Sequence, residues 1–166
     1  MQSEISGESL TKAIPVESGA AEEWALPILR VSAGLTIFCV HGWHKLEGWI
    51  AYFQHGTPWK LAQEVAEMHF PAPIASAVAA TLVQFICPLF LVVGLFTRIN
   101  AALLVAVLGV AVLQNLLSGR DPLMAILYTV IVFTLMVAGG GRFSLDARLK
   151  KRREQAADKN PPNETP

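Results

Sequence analysis

No aspartate or glutamate falls within any of the four long apolar blocks of this chain, residues 24–45, 74–96, 99–117 and 123–139. A relay that carries protons through intramembrane carboxylates is left without its usual groups. Cysteine is almost as scarce. Cys39 and Cys87 sit in separate blocks with no CxxC spacing, which argues against a disulfide framework or a redox pair and makes each a small buried hydrophobe. A formal net charge of zero gives no overall basic surface for nucleic acid. No cleavable signal peptide is expected, because residues 1–23 are polar and acid-leaning and the first apolar block is span-length.

Hydrophobic residues, in contrast, make up 53% of the 166 residues and charged ones only 16%, in few uninterrupted blocks. That composition predicts an all-α integral membrane protein of one domain, 24–146, with an up-down four-helix bundle. The predicted spans are 24–45, 74–96, 99–117 and 123–139. Pro27 falls in the first turn of the first span, where it is tolerated, and Pro88 kinks the second. Thr97 and Arg98 leave almost no loop between the second and third spans, and three glycines at 139–141 end the fourth. Residues 46–73 form an outer connection with the aromatic belt Trp49, Tyr52, Phe53 and Trp59. After Pro58 it carries a short interfacial helix whose Leu61, Val65 and Met68 share one face. Residues 1–23 read as a disordered polar tail, and 147–166 as a basic, then proline-rich tail.

Seven of the thirteen basic residues, Arg142, Arg148, Lys150, Lys151, Arg152, Arg153 and Lys159, follow the last apolar block. By the positive-inside rule both termini are then cytoplasmic in a bacterial inner membrane, and Arg98 in the short turn agrees.

Residues 24–48 organise the rest. Arg30, Gly34, Ile37, His41 and Lys45 recur at spacings of three and four, and so share one helical stripe. Eight Leu, Ile, Val or Phe residues between Trp24 and Trp43 contribute roughly −2.4 to −4.8 kcal/mol to insertion, against up to about +3 for a central arginine. A stripe of this kind must face other helices or a wet cavity. Depth along the spans sorts the polar residues into two layers. An inner layer holds Arg30, Asn100, Arg142, Ser144 and Asp146. Glu22, Glu23, Asp146, or carbonyls and amides could pair with Arg30, and Asp146 is favoured because the GGGRFSLD turn can fold back beneath the helices.

The outer layer holds His41, Thr81, Gln114, Asn115 and Tyr128, with Lys45 and Asp121 at its rim and Gln84 nearer mid-membrane. Such groups either hydrogen-bond between helices or form a pocket for a polar-headed ligand such as a quinone, with His41 able to pass a proton. His41, His44 and Glu47 stand at i, i+3 and i+6, a spacing that converges poorly, so no metal is expected. Nor is a resident cofactor, since the outer spans hold no bis-histidine haem pair.

Arg30 followed by HGWHKL (41–46), GLFTR (94–98) and GGGRFSLDARL (139–149) together resemble the DoxX family of small bacterial membrane proteins, over residues 25–149. The resemblance implies a four-helix inner-membrane protein. Some members are small subunits of thiosulfate:quinone oxidoreductases, and others join membrane complexes that handle thiol or oxidative stress. Arg30, Gly42, Lys45, Gly94, Arg98, Gly141, Ser144 and Asp146 match the family pattern by position. Gln84 stands where the family often has glutamate. The resemblance implies an accessory subunit of a quinone- or sulfur-linked redox system without independent activity. The expected partners are the bilayer and other redox proteins, membrane or soluble, and a homo-oligomer is compatible. A small transporter-like bundle, or a scaffold that docks a soluble protein through the basic tail, are the alternatives.

Overall fold

The computed structural model describes residues 20–159, with side chains from 23 to 158; the expectations for residues 1–19, for the Glu22 side chain and for the proline-rich end lie outside them. Every element described is helical. They are α1 (Ala20–Thr36), a π-helical segment (Ile37–Gly42), α2 (Trp43–His55), α3 (Lys60–Glu67), α4 (Pro73–Val93), α5 (Thr97–Leu117), α6 (Leu123–Ala138) and α7 (Leu145–Lys159).

Among the described residues, three helices are long and apolar enough to cross a membrane: Glu23–His55, Pro73–Val93 and Thr97–Leu117. The first is a single run of α1, the π segment and α2, about 50 Å long at 1.5 Å per residue. It starts earlier and ends later than its apolar block, so Pro27 lies inside the helix instead of in its first turn. The extra N-terminal turn is held from outside, by an ion pair from Arg142 to Glu23 and by Trp24 stacked on Phe143 at 4.7 Å. α6 is apolar but has only 16 residues, about 24 Å against a hydrocarbon core of about 30 Å.

α1 packs on α4 and α6, α4 on α5, and α5 on α6. Between them lies a core of small and branched side chains, among them Ala33, Ile37, Cys87, Leu91, Leu104 and Leu135. Large apolar residues on the opposite faces stay exposed: Val130 at 57% and Val137 at 61% are typical. An apolar outside around an apolar inside is the pattern of a lipid-facing surface.

The π segment decides how the first helix meets its neighbours. A π turn takes up one extra residue, which rotates everything after it by roughly 100° relative to a regular helix. The continuous stripe from Arg30 to Lys45 expected from α-helical spacing is therefore broken. Arg30, Ala33, Gly34 and Ile37 are buried, but the next fully buried position is Gly42, and His41 turns to a half-buried position. Gly42 fits against α4 because a Cβ there would stand only 2.6 Å from the Gln84 carbonyl oxygen. That carbonyl is free because Pro88, four residues on, has no N–H to donate to it.

α7 was not assigned from the sequence. The basic stretch after residue 146, read only as the start of a tail, is helical to Lys159. Its N-terminus is capped by Ser144, whose Oγ accepts from the Ala147 N–H at 3.1 Å, and Lys150 and Glu154 form an i,i+4 pair at 3.9 Å along it.

Candidate functional site

At one end of the helices the GGGRFSLD turn folds back beneath the α4–α5 connection, as its length allowed. Arg30 is 4% exposed and donates from Nη1 to the Gly140 carbonyl. Its guanidinium lies directly on Gly94, where a Cβ would fall 2.7 Å from both Arg30 Nη1 and the Ser144 Cβ. Gly94 also has φ of +72° and ends α4 with two turn-closing bonds, from its own N–H to Leu91 O at 3.1 Å and from the Leu95 N–H to Phe90 O at 3.0 Å. Side chains then close the connection. Asn100 donates from Nδ2 to the carbonyls of Leu95 and Phe96, at 2.9 and 3.1 Å. Asp146 accepts from the N–H groups of Phe96 and Thr97, at 2.8 and 2.9 Å.

Among the described residues no ion pair joins Arg30 to Asp146, so the expected direct contact is corrected. The first unpaired N–H groups of α5 offer the carboxylate neutral donors along a favourable helix dipole, and the glycine turn offers the guanidinium a bare carbonyl. Burial alone would raise the Asp146 pKa. The Thr97 and Phe96 N–H groups, with the nearby charge of Arg30, outweigh that and hold the carboxyl below the usual aspartate value. Arg98 approaches the Val137 carbonyl at 3.5 Å. The inner layer is a clasp between the first helix, the α4–α5 turn and the entry to α7.

The outer layer separates into two parts. Lys45 reaches into the helices and donates from Nζ to Gln84 Oε1, and Gln84 is 1% exposed. Lys45 is thus at the centre of this layer, not its rim. Beside it, α3 carries Glu64, whose carboxylate is bound by Arg120 Nη1 at 2.8 Å. Burial alone would raise the Glu64 pKa. The Gln114 amide, the hydrogen bond and charge of Arg120, and the charge of Lys60 together hold it below the usual glutamate value. Gln114 lies close enough to act in this way, although its buried Nε2 completes no hydrogen bond of ordinary geometry. Glu64 was missed by reading the spans alone. The signal was present: Leu61, Glu64 and Met68 follow one another at three and four residues, so the carboxylate borders the inward apolar face of α3.

His41 forms the second part. It meets Tyr128 of α6 edge-on at 5.3 Å, turned from Lys45 by the π segment. Thr81 is buried but donates to Ala77 O of its own helix at 2.9 Å. Asn115 accepts through its backbone carbonyl from the Arg120 backbone N–H at 2.8 Å, closing the end of α5. Asp121 accepts from the Leu123 N–H at 2.9 Å and starts α6. His44 and Glu47 pair at 3.4 Å on an exposed face. Among the described residues no three histidine, cysteine or acidic side chains are grouped to hold a metal.

Two cavities meet at Lys45. One, about 300 Å³, lies between α3, α4 and α5 and is lined mainly by apolar side chains, with Lys45 and Gln114 as its larger polar groups. The other, about 430 Å³, lies between α2 and α3 and is lined by His44, Lys60 and Glu64 among others. Lys45 and Leu61 line both. Arranged in this way, the Lys45 amine stands between a mainly apolar cavity and one lined by both charged and apolar side chains.

Residues 25–115, which run from α1 nearly to the end of α5, match the family model described as DoxX. The GGGRFSLDARL segment lies beyond the matched residues. No curated protein and no solved structure matches the chain.

Proposed function

Because the chain belongs to the DoxX family, we propose that it is an accessory subunit of a membrane redox system and that its outer polar layer contacts a quinone. The observation that carries this reading is Lys45, an ammonium drawn in among apolar helices and held there by an amide instead of a carboxylate. A cation so placed is costly to bury and is characteristic of a site with work to do. It can donate to a ligand carbonyl without first giving up a carboxylate partner, since Glu64 is bound by Arg120.

Four spans with both termini in the cytoplasm complete the reading. The 16 residues of α6 cross if the bilayer thins slightly around them. The end carrying Arg98, Arg142 and the basic α7 then faces the cytoplasm, and the end carrying α3 faces outward. The exposed run Lys150, Lys151, Arg152 and Arg153 supports a second reading for the partner side, in which α7 docks an acidic soluble protein.

Purified protein in lipid nanodiscs, titrated with a short-chain ubiquinone, tests the quinone contact. The expected result is a saturable quench of tryptophan fluorescence with a rise in melting temperature. Neither change at concentrations that saturate other quinone sites would contradict the contact.

A further inference from the structure

Within that reading, on which this inference rests, we propose that the cavity roofed by α3 is the quinone site, with Lys45 and Gln114 as its head-group donors. The alternative position in the same layer is the His41–Tyr128 contact. That contact is made ring to ring, and neither residue lines the cavity between α3, α4 and α5.

The cavity has the form such a ligand requires. Val83 of α4 and Val107 and Val110 of α5 give it apolar walls, and Leu61, Val65 and Met68 of α3 close it. Its volume of about 300 Å³ is at the small end of the range for ligand sites. It suits a ring and the first part of a chain, with the remaining chain continuing into the bilayer between lipid-exposed faces of α4 and α5. The polar groups gather on one side of the wall. Lys45 offers the N–H groups not engaged by Gln84, and Gln114 offers a buried Nε2 that approaches Glu64 without completing a hydrogen bond of ordinary geometry. A buried donor left so poorly paired is costly, and it pairs fully when an acceptor arrives. A neutral carbonyl at the head of an apolar molecule meets both conditions.

The short helix α3 defines entry. Its inward face forms the roof, Glu64 on its edge is tied to Arg120 at 2.8 Å, and Trp59 just before it is 4% exposed under Gly48. The backbone is left-handed on both sides of it, at Gly56 and at His69 and Ala72. The roof is thus a separate piece pinned at two points, and the cavity beneath it opens toward the outer leaflet.

The test uses the full chain in nanodiscs with decylubiquinone as the probe, and its readouts are tryptophan quenching and melting temperature. Lys45→Met is expected to weaken binding about tenfold or more, the equivalent of one charge-assisted hydrogen bond. Lys45→Arg is expected to recover part of the loss. Ala106→Leu and Val110→Phe, which fill the cavity without adding a fluorophore read in the tryptophan channel, are expected to abolish quenching, whereas Val130→Phe on the lipid face of α6 leaves it intact. Melting temperatures without quinone identify any variant that fails to fold, and Ala106→Leu, the smaller change, then stands in for Val110→Phe. Quenching of undiminished affinity in folded Lys45→Met and Ala106→Leu, with loss in His41→Ala, would overturn this site and leave the quinone contact standing at Tyr128. No quenching in the wild-type chain would overturn both.

Discussion

Gly42 has no room for a side chain. A Cβ there would press within 2.6 Å of the Gln84 carbonyl and 3.3 Å of the Phe85 Cα, both rigid backbone. Gly42→Ala is therefore expected to destabilise the protein by about 1–3 kcal/mol through overpacking. Gly109 of α5, with nothing within 4 Å, is the control. Alanine at that site should be neutral or stabilise by up to about 1 kcal/mol through helix propensity. Thermal melts in one detergent decide between these outcomes, and equal losses at both positions would contradict the packing account. Asp146 supports a second residue-scale prediction. Its carboxyl is held below the usual value, so its contribution is full above the unfolded pKa of about 4 and is lost as pH falls through the lower folded value. Melting temperature should drop on acidification below about pH 4, and Asp146→Asn should drop less steeply because the group no longer titrates. Glu64 titrates in the same direction and persists in the variant, so only part of the slope should disappear.

At the scale of elements, the π segment and α3 carry the arrangement that composition does not reveal. α4 and α5 were legible because uninterrupted apolar runs are bounded by Pro73, Gly94 and the turn after Leu117. Arg30 and Asp146 could be placed in one layer from depth alone. A carbonyl was among the partners open to Arg30, but which carbonyl, and which two N–H groups bind Asp146, could not be placed, because backbone groups leave no mark in the sequence. The split of His41 from Lys45 was hidden for a related reason: α-helical counting assumes 3.6 residues per turn, and nothing in IFCVHG announces an extra residue. α7 was obscured because its charges give little apolar periodicity, and its support comes from Ser144 and from pairing along the helix. α3 yields a prediction at this scale. Glu64→Gln and Arg120→Ala should each speed hydrogen exchange across residues 60–67, and the double variant should add little. The coupling should be about 0.5–1 kcal/mol, since the Arg120 side chain is 44% exposed. Independent, additive effects would show that the ion pair does not hold α3 in place.

For the whole molecule, one end is a clasp and the other is left open around a buried lysine. The clasp gathers Arg30, Gly94, Asn100, Ser144 and Asp146, and makes the first helix, the α4–α5 turn and the start of α7 one unit. The opposite end leaves space around Lys45 and covers it with a short helix pinned at few points. With basic residues concentrated beyond the clasp, single cysteines at Gln155 and Gln63 in a background lacking Cys39 and Cys87 should label from opposite sides of the membrane. Labelling from the same side would reverse or remove a span. The accessory role itself is tested most directly by purifying the full chain from its native membrane in mild detergent and identifying bound proteins and lipids by mass spectrometry. The account predicts a co-purifying oxidoreductase subunit together with a quinone, the quinone lost from Lys45→Met. A chain that purifies alone and carries no quinone would contradict it.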